Sequence, residues 1–282
     1  MLIIDQRLTC DLCGTEMSVL RQTMQPGDAL QNITRGPIGV TQWQDVCAAC
    51  SVGLRQAITD LTKKPIQSDT EALIRIGATV RARLNANPMV QRVPANGAEL
   101  YAAFNFLTPL ECKMVIKKID EIARPSPLYG PSVDQDHRTS FSSDFPVEDE
   151  FMNMLQRRTD DLLGIEKGYG ERLQGQRYEV GQQFKSHMDW FWPNTQYYQM
   201  EMDRGGQRSW TVMTYLNTVE EGGDTAFREL GLLFKPEPGM LLIWNNATPE
   251  GEPNKMVLHS GEPVIKGIKY VTTKWYRERE WN

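Results

Sequence analysis

The chain has 282 residues, of which 40% are hydrophobic and 24% are charged, and its net charge is −5. These values are typical of a globular protein with one large or two unequal domains. No apolar run is long enough to cross a membrane, which excludes a membrane-spanning chain. The net negative charge gives no electrostatic footprint for nucleic-acid binding.

The first feature along the chain is a pair of C-x-x-C motifs, Cys10/Cys13 and Cys47/Cys50. The apolar start of the chain is too short for a secretory signal, so the motifs predict a metal site in a reducing, cytoplasmic compartment and not a disulfide framework. Four thiolates would close a tetrahedral, structural Zn(II) site. The alternative is two unrelated pairs in a metal-free fold.

Residues 1–66 are therefore predicted to form a zinc-binding module of the treble-clef or zinc-ribbon type, with a loop inserted between the two cysteine pairs. A segment this short has too small a core to fold stably without a cross-link such as a bound metal, which favours zinc over the metal-free alternative. Its six Lys/Arg balance six Asp/Glu, which favours a protein-contact role over a nucleic-acid clamp.

Helical patterns follow. A capping box at residues 68–71 opens a helix within residues 67–96, which we interpret as a helical linker. A second helix begins at Thr108, with proline at its first position and Glu111 as its capping acid. Cys112 falls on the apolar stripe of that helix and is expected to be a packed core thiol. A further helix is predicted over about residues 147–163.

From Leu173 onward the pattern changes to period two with Gly and Pro punctuation, which is typical of an antiparallel sheet or barrel. Helices followed by many short strands predict an α+β fold. Its form would be a double-stranded β-helix (jelly roll) with supporting helices over residues 97–282.

Metal ligands stand within this strand-rich part. His187 and Asp189 are two residues apart, so an extended segment places both on one face. With a distant second histidine, His259, they make the set of two imidazoles and one carboxylate that non-haem Fe(II) oxygenases use. A lone H-x-D more often marks the polar edge of a strand, so the residues around it decide between the two interpretations.

Those surroundings resemble the prolyl 4-hydroxylase family of 2-oxoglutarate-dependent dioxygenases. The resemblance covers roughly residues 97–280, and the matching motifs occur in the family's order. They are RYEVGQ at 177–182, GGQR at 205–208, TYLN at 214–217, EEGGDT at 220–225, KP and PG within 235–239, and the set HSG, PV, KG, K and KW between 259 and 275. Because so many motifs match in the same order, the resemblance is specific to this family, whereas any single motif would be weak evidence for it.

The resemblance implies an Fe(II)- and 2-oxoglutarate-dependent dioxygenase that hydroxylates a C–H bond, foremost the 4-carbon of a peptidyl proline. Succinate and carbon dioxide would be the co-products and ascorbate the reductant. It implies that His187, Asp189 and His259 are the catalytic Fe(II) ligands. Dioxygen and two oxygens of 2-oxoglutarate would take the three positions left on the metal.

The resemblance also implies three residues that bind 2-oxoglutarate: Lys269 through the 5-carboxylate, and Tyr178 and Thr225 as hydroxyl donors. It assigns Arg208 and Trp275 to the substrate, so a protein or peptide is the expected partner. From the residues alone Tyr178 could equally be a half-buried strand aromatic, Arg208 a surface charge and Trp275 a packing residue.

Strand alternation bears on the lysines. Period two places Lys269, Val271, Thr273 and Trp275 on one face, so Lys269 and Trp275 can point into the same barrel. Lys266 and Lys274 have the opposite parity and are expected to be solvated. His137 is expected to be an exposed loop residue.

Two features depart from the family. Phe184 stands where a tyrosine is usual, and residues 190–204 form a long segment rich in aromatics and methionine. They leave two alternatives open. One is the same chemistry on another target, such as another side chain, a free amino acid or a nucleobase. The other is a zinc-module adaptor with a non-catalytic oxygenase fold, against which the intact ligand triad and Lys269 argue.

Overall fold

The computed structural model describes residues 5–9, 16–20, 67–126 and 136–282. The four cysteines of the predicted zinc site, Cys10, Cys13, Cys47 and Cys50, lie outside these residues. The chain divides into two compact units, Met1–Pro65 and Ile66–Asn282. In the first unit β1 (Asp5–Thr9) pairs antiparallel with β2 (Glu16–Leu20). Among the described residues no helix has the length and apolarity needed to cross a membrane.

The second unit contains four helices within the described ranges: α1 (Thr70–Ala86), α2 (Pro109–Ile122), α3 (Glu150–Leu163) and α4 (Tyr198–Arg204). At α2 the predicted capping box is confirmed, since Thr108 and Glu111 exchange side-chain-to-backbone hydrogen bonds. At α1 the cap is one residue later than predicted. The carboxylate of Asp69 accepts a hydrogen bond from the backbone N–H of Ala72, while Ser68 donates to Glu278.

The strands of the second unit form antiparallel sheets. In chain order they are β3 (Gln91–Arg92), β4 (Leu100–Ala103), β5 (Arg124–Pro125), β6 (Phe141–Asp144), β7 (Gln174–Tyr178), β8 (Phe184–His187), β9 (Arg208–Tyr215), β10 (Glu221–Gly222), β11 (Thr225–Phe227), β12 (Leu232–Phe234), β13 (Leu241–Asn245), β14 (His259–Gly261), β15 (Val264–Lys266) and β16 (Lys269–Arg277). The larger sheet has eight strands in the order β3-β4-β13-β9-β16-β7-β6-β5, and the smaller has four, β12-β11-β14-β8. Strands β10 and β15 form a separate short pair.

One apolar cluster is shared by the two sheets. Met213, Tyr215 and Trp244 of the larger sheet belong to the same buried cluster as Phe227 of the smaller sheet. Alternation along each strand supplies these side chains, because every second residue points to the same face. Two antiparallel sheets that share a core are the predicted jelly-roll arrangement.

The opposite face of the larger sheet is covered by helices. Val80 and Leu84 of α1 and Leu163 of α3 pack with Trp210 and Ile243 of that sheet. Helix α1, which begins the segment interpreted as a linker, therefore belongs to the same packed unit as the sheet. On α2, Cys112 is 2% exposed within an apolar cluster, which confirms the prediction of a packed core thiol.

Strand β16 lies between β9 and β7, and all nine of its residues are buried. The prediction for Lys274 was wrong: it is 1% exposed and forms an ion pair with Asp160 of α3, not a solvated surface charge. The hydroxyl of Tyr276 donates to the same carboxylate at 2.7 Å. The pairing offsets the cost of burying the ammonium beneath the helices. Lys266, in contrast, is exposed as predicted, and its ammonium contacts Glu220.

Candidate active site

The three predicted metal ligands come together in the structure. One ligand atom from each of His187, Asp189 and His259 lies within 4.8 Å of the other two. The strand register accounts for this, because His187 of β8 and His259 of β14 are directly opposed partners in the smaller sheet. Asp189 follows two residues after His187, as the H-x-D spacing requires.

The two imidazoles are held in the orientation that metal binding needs. Nδ1 of His187 lies 2.8 Å from the carbonyl oxygen of Lys185, and Nδ1 of His259 lies 3.0 Å from that of Val257. A carbonyl only accepts, so each Nδ1 carries the proton and each Nε2 keeps its lone pair for a metal. Burial, followed by repulsion from His259, lowers the pKa of His187 to about 3, so this ring is neutral at physiological pH.

Aromatic rings support the same imidazoles. Phe184 stacks on His187 with ring centroids 3.6 Å apart, and Trp244 contacts His259 edge-on at 4.8 Å. Phe184 therefore buttresses a predicted metal ligand. His137, predicted as an exposed loop residue, is instead half-buried, with its ring centroid 5.7 Å from that of Phe184 and 6.5 Å from that of His187.

The Asp189 carboxylate is 5% exposed and has fixed partners. Its Oδ2 accepts a hydrogen bond from Thr211 Oγ1 at 2.8 Å and lies 3.7 Å from His259 Nε2. Its Oδ1 lies 3.7 Å from Arg208 Nη1. Burial alone raises the pKa of Asp189, but the attraction of His259 and Arg208 outweighs it and the pKa is lowered. Two imidazoles beside an ionised carboxylate are a donor set that fits Fe(II).

A cavity extends from the ligands along the inner face of β16. Lys269, Val271, Thr273 and Trp275 all line it, as the period-two pattern predicted. Thr225 and Tyr178, the two predicted hydroxyl donors, line the same cavity. The structure therefore brings the metal ligands and the predicted co-substrate residues to one site.

Lys269 contributes a buried basic side chain to this cavity. It is 2% exposed, and its Nζ lies 3.4 Å from Thr225 Oγ1. Burial lowers its pKa to about 7, although Asp224 and Glu262 act in the opposite direction. Within residues 67–126 and 136–282, no carboxylate forms a direct ion pair with this ammonium. A buried ammonium that faces a cavity fits a ligand with a carboxylate.

The cavity wall also contains residues that the sequence analysis missed. Gln176 is 4% exposed, and its Oε1 accepts a hydrogen bond from the hydroxyl of Tyr178 at 2.9 Å. Period two from Tyr178 could have found it. Trp244 also lines the cavity, and among the described residues neither its indole N–H nor that of Trp275 has a hydrogen-bond partner.

Arg208 lies at the metal end of the site. Its guanidinium makes a bidentate pair with Glu171, at 2.7 and 2.9 Å, and stacks over the ring of Trp275 at 4.1 Å. Arg277 pairs with the same glutamate and with Glu201 of α4. The aromatic-rich segment 190–204 is thus tied to the site through buried charges.

Comparison with known proteins agrees with this geometry. Residues 173–277 match the model of the 2OG-Fe(II) oxygenase superfamily. The chain is 35% identical over 207 residues to probable prolyl 4-hydroxylase 10 of Arabidopsis thaliana, covering 63% of this chain and 68% of that protein. It is 33% identical to probable prolyl 4-hydroxylase 8 of the same plant, with the same coverage.

A solved structure agrees as well. The viral collagen prolyl hydroxylase of Paramecium bursaria Chlorella virus-1, in its 2-oxoglutarate complex, superposes with a TM-score of 0.51 at 27% identity. The match covers 65% of this chain and 98% of that one. Sequence, fold and site geometry thus agree with the resemblance that the motifs indicated. The chain belongs to the prolyl 4-hydroxylase family of 2-oxoglutarate- and Fe(II)-dependent dioxygenases.

Proposed function

We propose that this dioxygenase hydroxylates the 4-carbon of a proline within a peptide, with 2-oxoglutarate as co-substrate. The observation that carries the proposal is the single cavity lined by the triad His187, Asp189 and His259 and by the buried ammonium of Lys269. A metal site alone would serve many reactions. The added cation selects a co-substrate with a second carboxylate.

In this proposal His187, Asp189 and His259 hold Fe(II), and Lys269 with Thr225 binds the 5-carboxylate of 2-oxoglutarate. Tyr178 shares this end of the cavity, because the Lys269 ammonium lies 5.5 Å from its ring centroid. When bound, the metal and 2-oxoglutarate would supply the chemistry that activates dioxygen for C–H hydroxylation. One oxygen atom would enter the substrate and the other the succinate, with carbon dioxide released from 2-oxoglutarate. The protein's own contribution is to orient the substrate carbon and to exclude water.

Substrate recognition is proposed for Trp275 and Arg208. Trp275 is 8% exposed and presents an apolar wall to the cavity, which suits a pyrrolidine ring. Arg208 is held over Trp275 by Glu171, so its position is fixed before a peptide binds. The similarity to two probable prolyl 4-hydroxylases supports a prolyl substrate. Ascorbate as reductant, a structural zinc on the four N-terminal cysteines and a cytoplasmic location complete the proposal.

The test is direct detection of product. Purified protein is incubated with Fe(II), ascorbate, 2-oxoglutarate and a library of proline-containing peptides, and mass spectrometry seeks products heavier by one oxygen atom. Hydrolysis then identifies 4-hydroxyproline. Matched peptides with alanine in place of proline and the Asp189→Ala protein are the controls.

We expect succinate and hydroxyproline to form together, and neither with Asp189→Ala. Oxygen incorporation at another residue would overturn the prolyl assignment and favour the alternative of a different target. No succinate under any condition, with metal bound, would favour a non-catalytic binding role.

A further inference from the structure

A chain of hydrogen bonds leads from the predicted metal-binding carboxylate through two buried residues that do not line the cavity. Thr211 Oγ1 donates to Asp189 Oδ2 at 2.8 Å, and Asn246 Nδ2 donates to Thr211 Oγ1 at 2.9 Å. Asp189 is 5% exposed, Thr211 0% and Asn246 1%. Neither Thr211 nor Asn246 lines the cavity of the metal site.

The chemistry of these groups fixes the direction of the chain. An ionised carboxylate can only accept, so the single hydroxyl proton of Thr211 must go to Asp189. The hydroxyl oxygen can then only accept from Asn246, which must turn the NH₂ side of its amide toward it. The amide oxygen of Asn246 is left without a hydrogen-bond partner in the described part of the chain. Each donor therefore polarises the next toward Asp189.

Asn246 also contacts the segment that carries the distal histidine. Its main-chain N–H donates to the carbonyl of Ser209 at 2.8 Å, and its carbonyl accepts from the N–H of Asn254 at 2.9 Å. The short 3-10 helix Lys255–Val257 follows, and the carbonyl of Val257 orients the ring of His259. One residue thus connects the strand beside Asp189 with the segment leading to His259.

We propose that Thr211 and Asn246 are positioning residues of the metal centre. Thr211 holds the Asp189 carboxylate in one rotamer, and Asn246 fixes Thr211 and sets the spacing between Asp189 and His259. The inference rests on the proposed function, since it takes Asp189 and His259 as ligands of the metal. Both residues act through those ligands and touch neither substrate nor co-substrate.

The experiment measures metal binding in the full chain, without turnover. Thr211→Val keeps the side-chain shape and removes the hydroxyl, and Thr211→Ser keeps the hydroxyl. Thr214→Val is the matched control, because Thr214 is a buried threonine on the opposite face of the same strand. Co(II) is the probe, with its dissociation constant from calorimetry and its visible absorption spectrum as a report on ligand geometry.

We expect Thr211→Val to weaken Co(II) binding by about 10–100-fold, the usual effect of removing an outer-shell partner, and to change the spectrum. Thr211→Ser and Thr214→Val should bind like the wild type. Asn246→Asp, which keeps the size but removes the donor, should weaken binding in the same direction, and it replaces Thr211→Val if that variant does not fold.

The outcomes separate this inference from the proposed function. Wild-type affinity and spectrum in Thr211→Val would overturn the positioning role while leaving the metal site intact. An equal loss in Thr214→Val would also overturn it, because the effect would then be one of packing. If Asp189→Ala kept the wild-type Co(II) affinity, the ligand assignment itself would fail.

Discussion

The buried lysine of the cavity makes a quantitative prediction. In the proposed complex Lys269 donates a charge-assisted hydrogen bond to the 5-carboxylate of 2-oxoglutarate. Such bonds contribute about 1.5–3 kcal/mol, and about 1.4 kcal/mol is a factor of ten. We therefore expect Lys269→Ala to raise the dissociation constant for 2-oxoglutarate about 10- to 150-fold near pH 7. Metal affinity should hardly change, because the lysine is not a ligand.

The same residue predicts how this effect depends on pH. In the free protein burial lowers the pKa of Lys269 to about 7, and a bound carboxylate would raise it again. Above pH 7 the free lysine is increasingly neutral, so binding must take up a proton. The wild-type dissociation constant should therefore rise about tenfold per pH unit above 7, whereas that of Lys269→Ala should stay flat.

The assay is anaerobic titration of the metal-loaded protein with 2-oxoglutarate between pH 6 and pH 9. Lys266→Ala is the matched control, since Lys266 is 69% exposed and paired with Glu220. It should bind 2-oxoglutarate like the wild type. Equal effects of the two substitutions, or a wild-type constant that does not change with pH, would refute the assignment of Lys269 to the co-substrate.

Three further outcomes are expected. His187→Ala or Asp189→Ala should abolish Fe(II)-dependent succinate formation, and undiminished turnover in either would reject the triad. Without 2-oxoglutarate, Lys269→Met should be more stable than the wild type by up to about 5 kcal/mol at pH 7, because the pKa falls from 10.5 to about 7 on folding. In denaturant titrations this difference should shrink as the pH rises toward 10.5, since the unfolded lysine then loses its proton too, and a constant difference would contradict the shift. Metal analysis should find about one zinc per chain, and Cys47→Ser should release it while sparing succinate formation; protein with reduced thiols and no zinc would reject the module.

Local rules recovered the parts of the site that lie on one strand or in one motif. Alternation along β16 placed Lys269 and Trp275 on one face, and both line the cavity. The H-x-D motif likewise predicted that Asp189 lies close to His187, although β8 ends at His187 and Asp189 follows just beyond it. Such patterns are visible because the physical cause, the two-residue pleat repeat, acts within a few residues.

The opposite face of the same strand could not be predicted in this way. Alternation shows that Lys274 points away from Lys269, but not what covers that side. Helices pack there, and Asp160, more than a hundred residues earlier in the chain, neutralises the buried ammonium. Thr211 and Asn246 were missed for the same reason. Their partner Asp189 is 22 residues from Thr211, and only the folded sheet brings them together.

The central position of β16 has a consequence for how the protein is made. This strand is the last of the described strands in chain order, yet it lies between β7 and β9 in the middle of the larger sheet. Until it emerges during synthesis, β7 and β9 each present an unpaired edge of the kind that promotes aggregation. A nascent chain that stops before Lys269 would also lack the cavity wall. Until β16 is available, folding can therefore proceed only to a partly paired sheet, and the cavity lacks the wall that β16 provides.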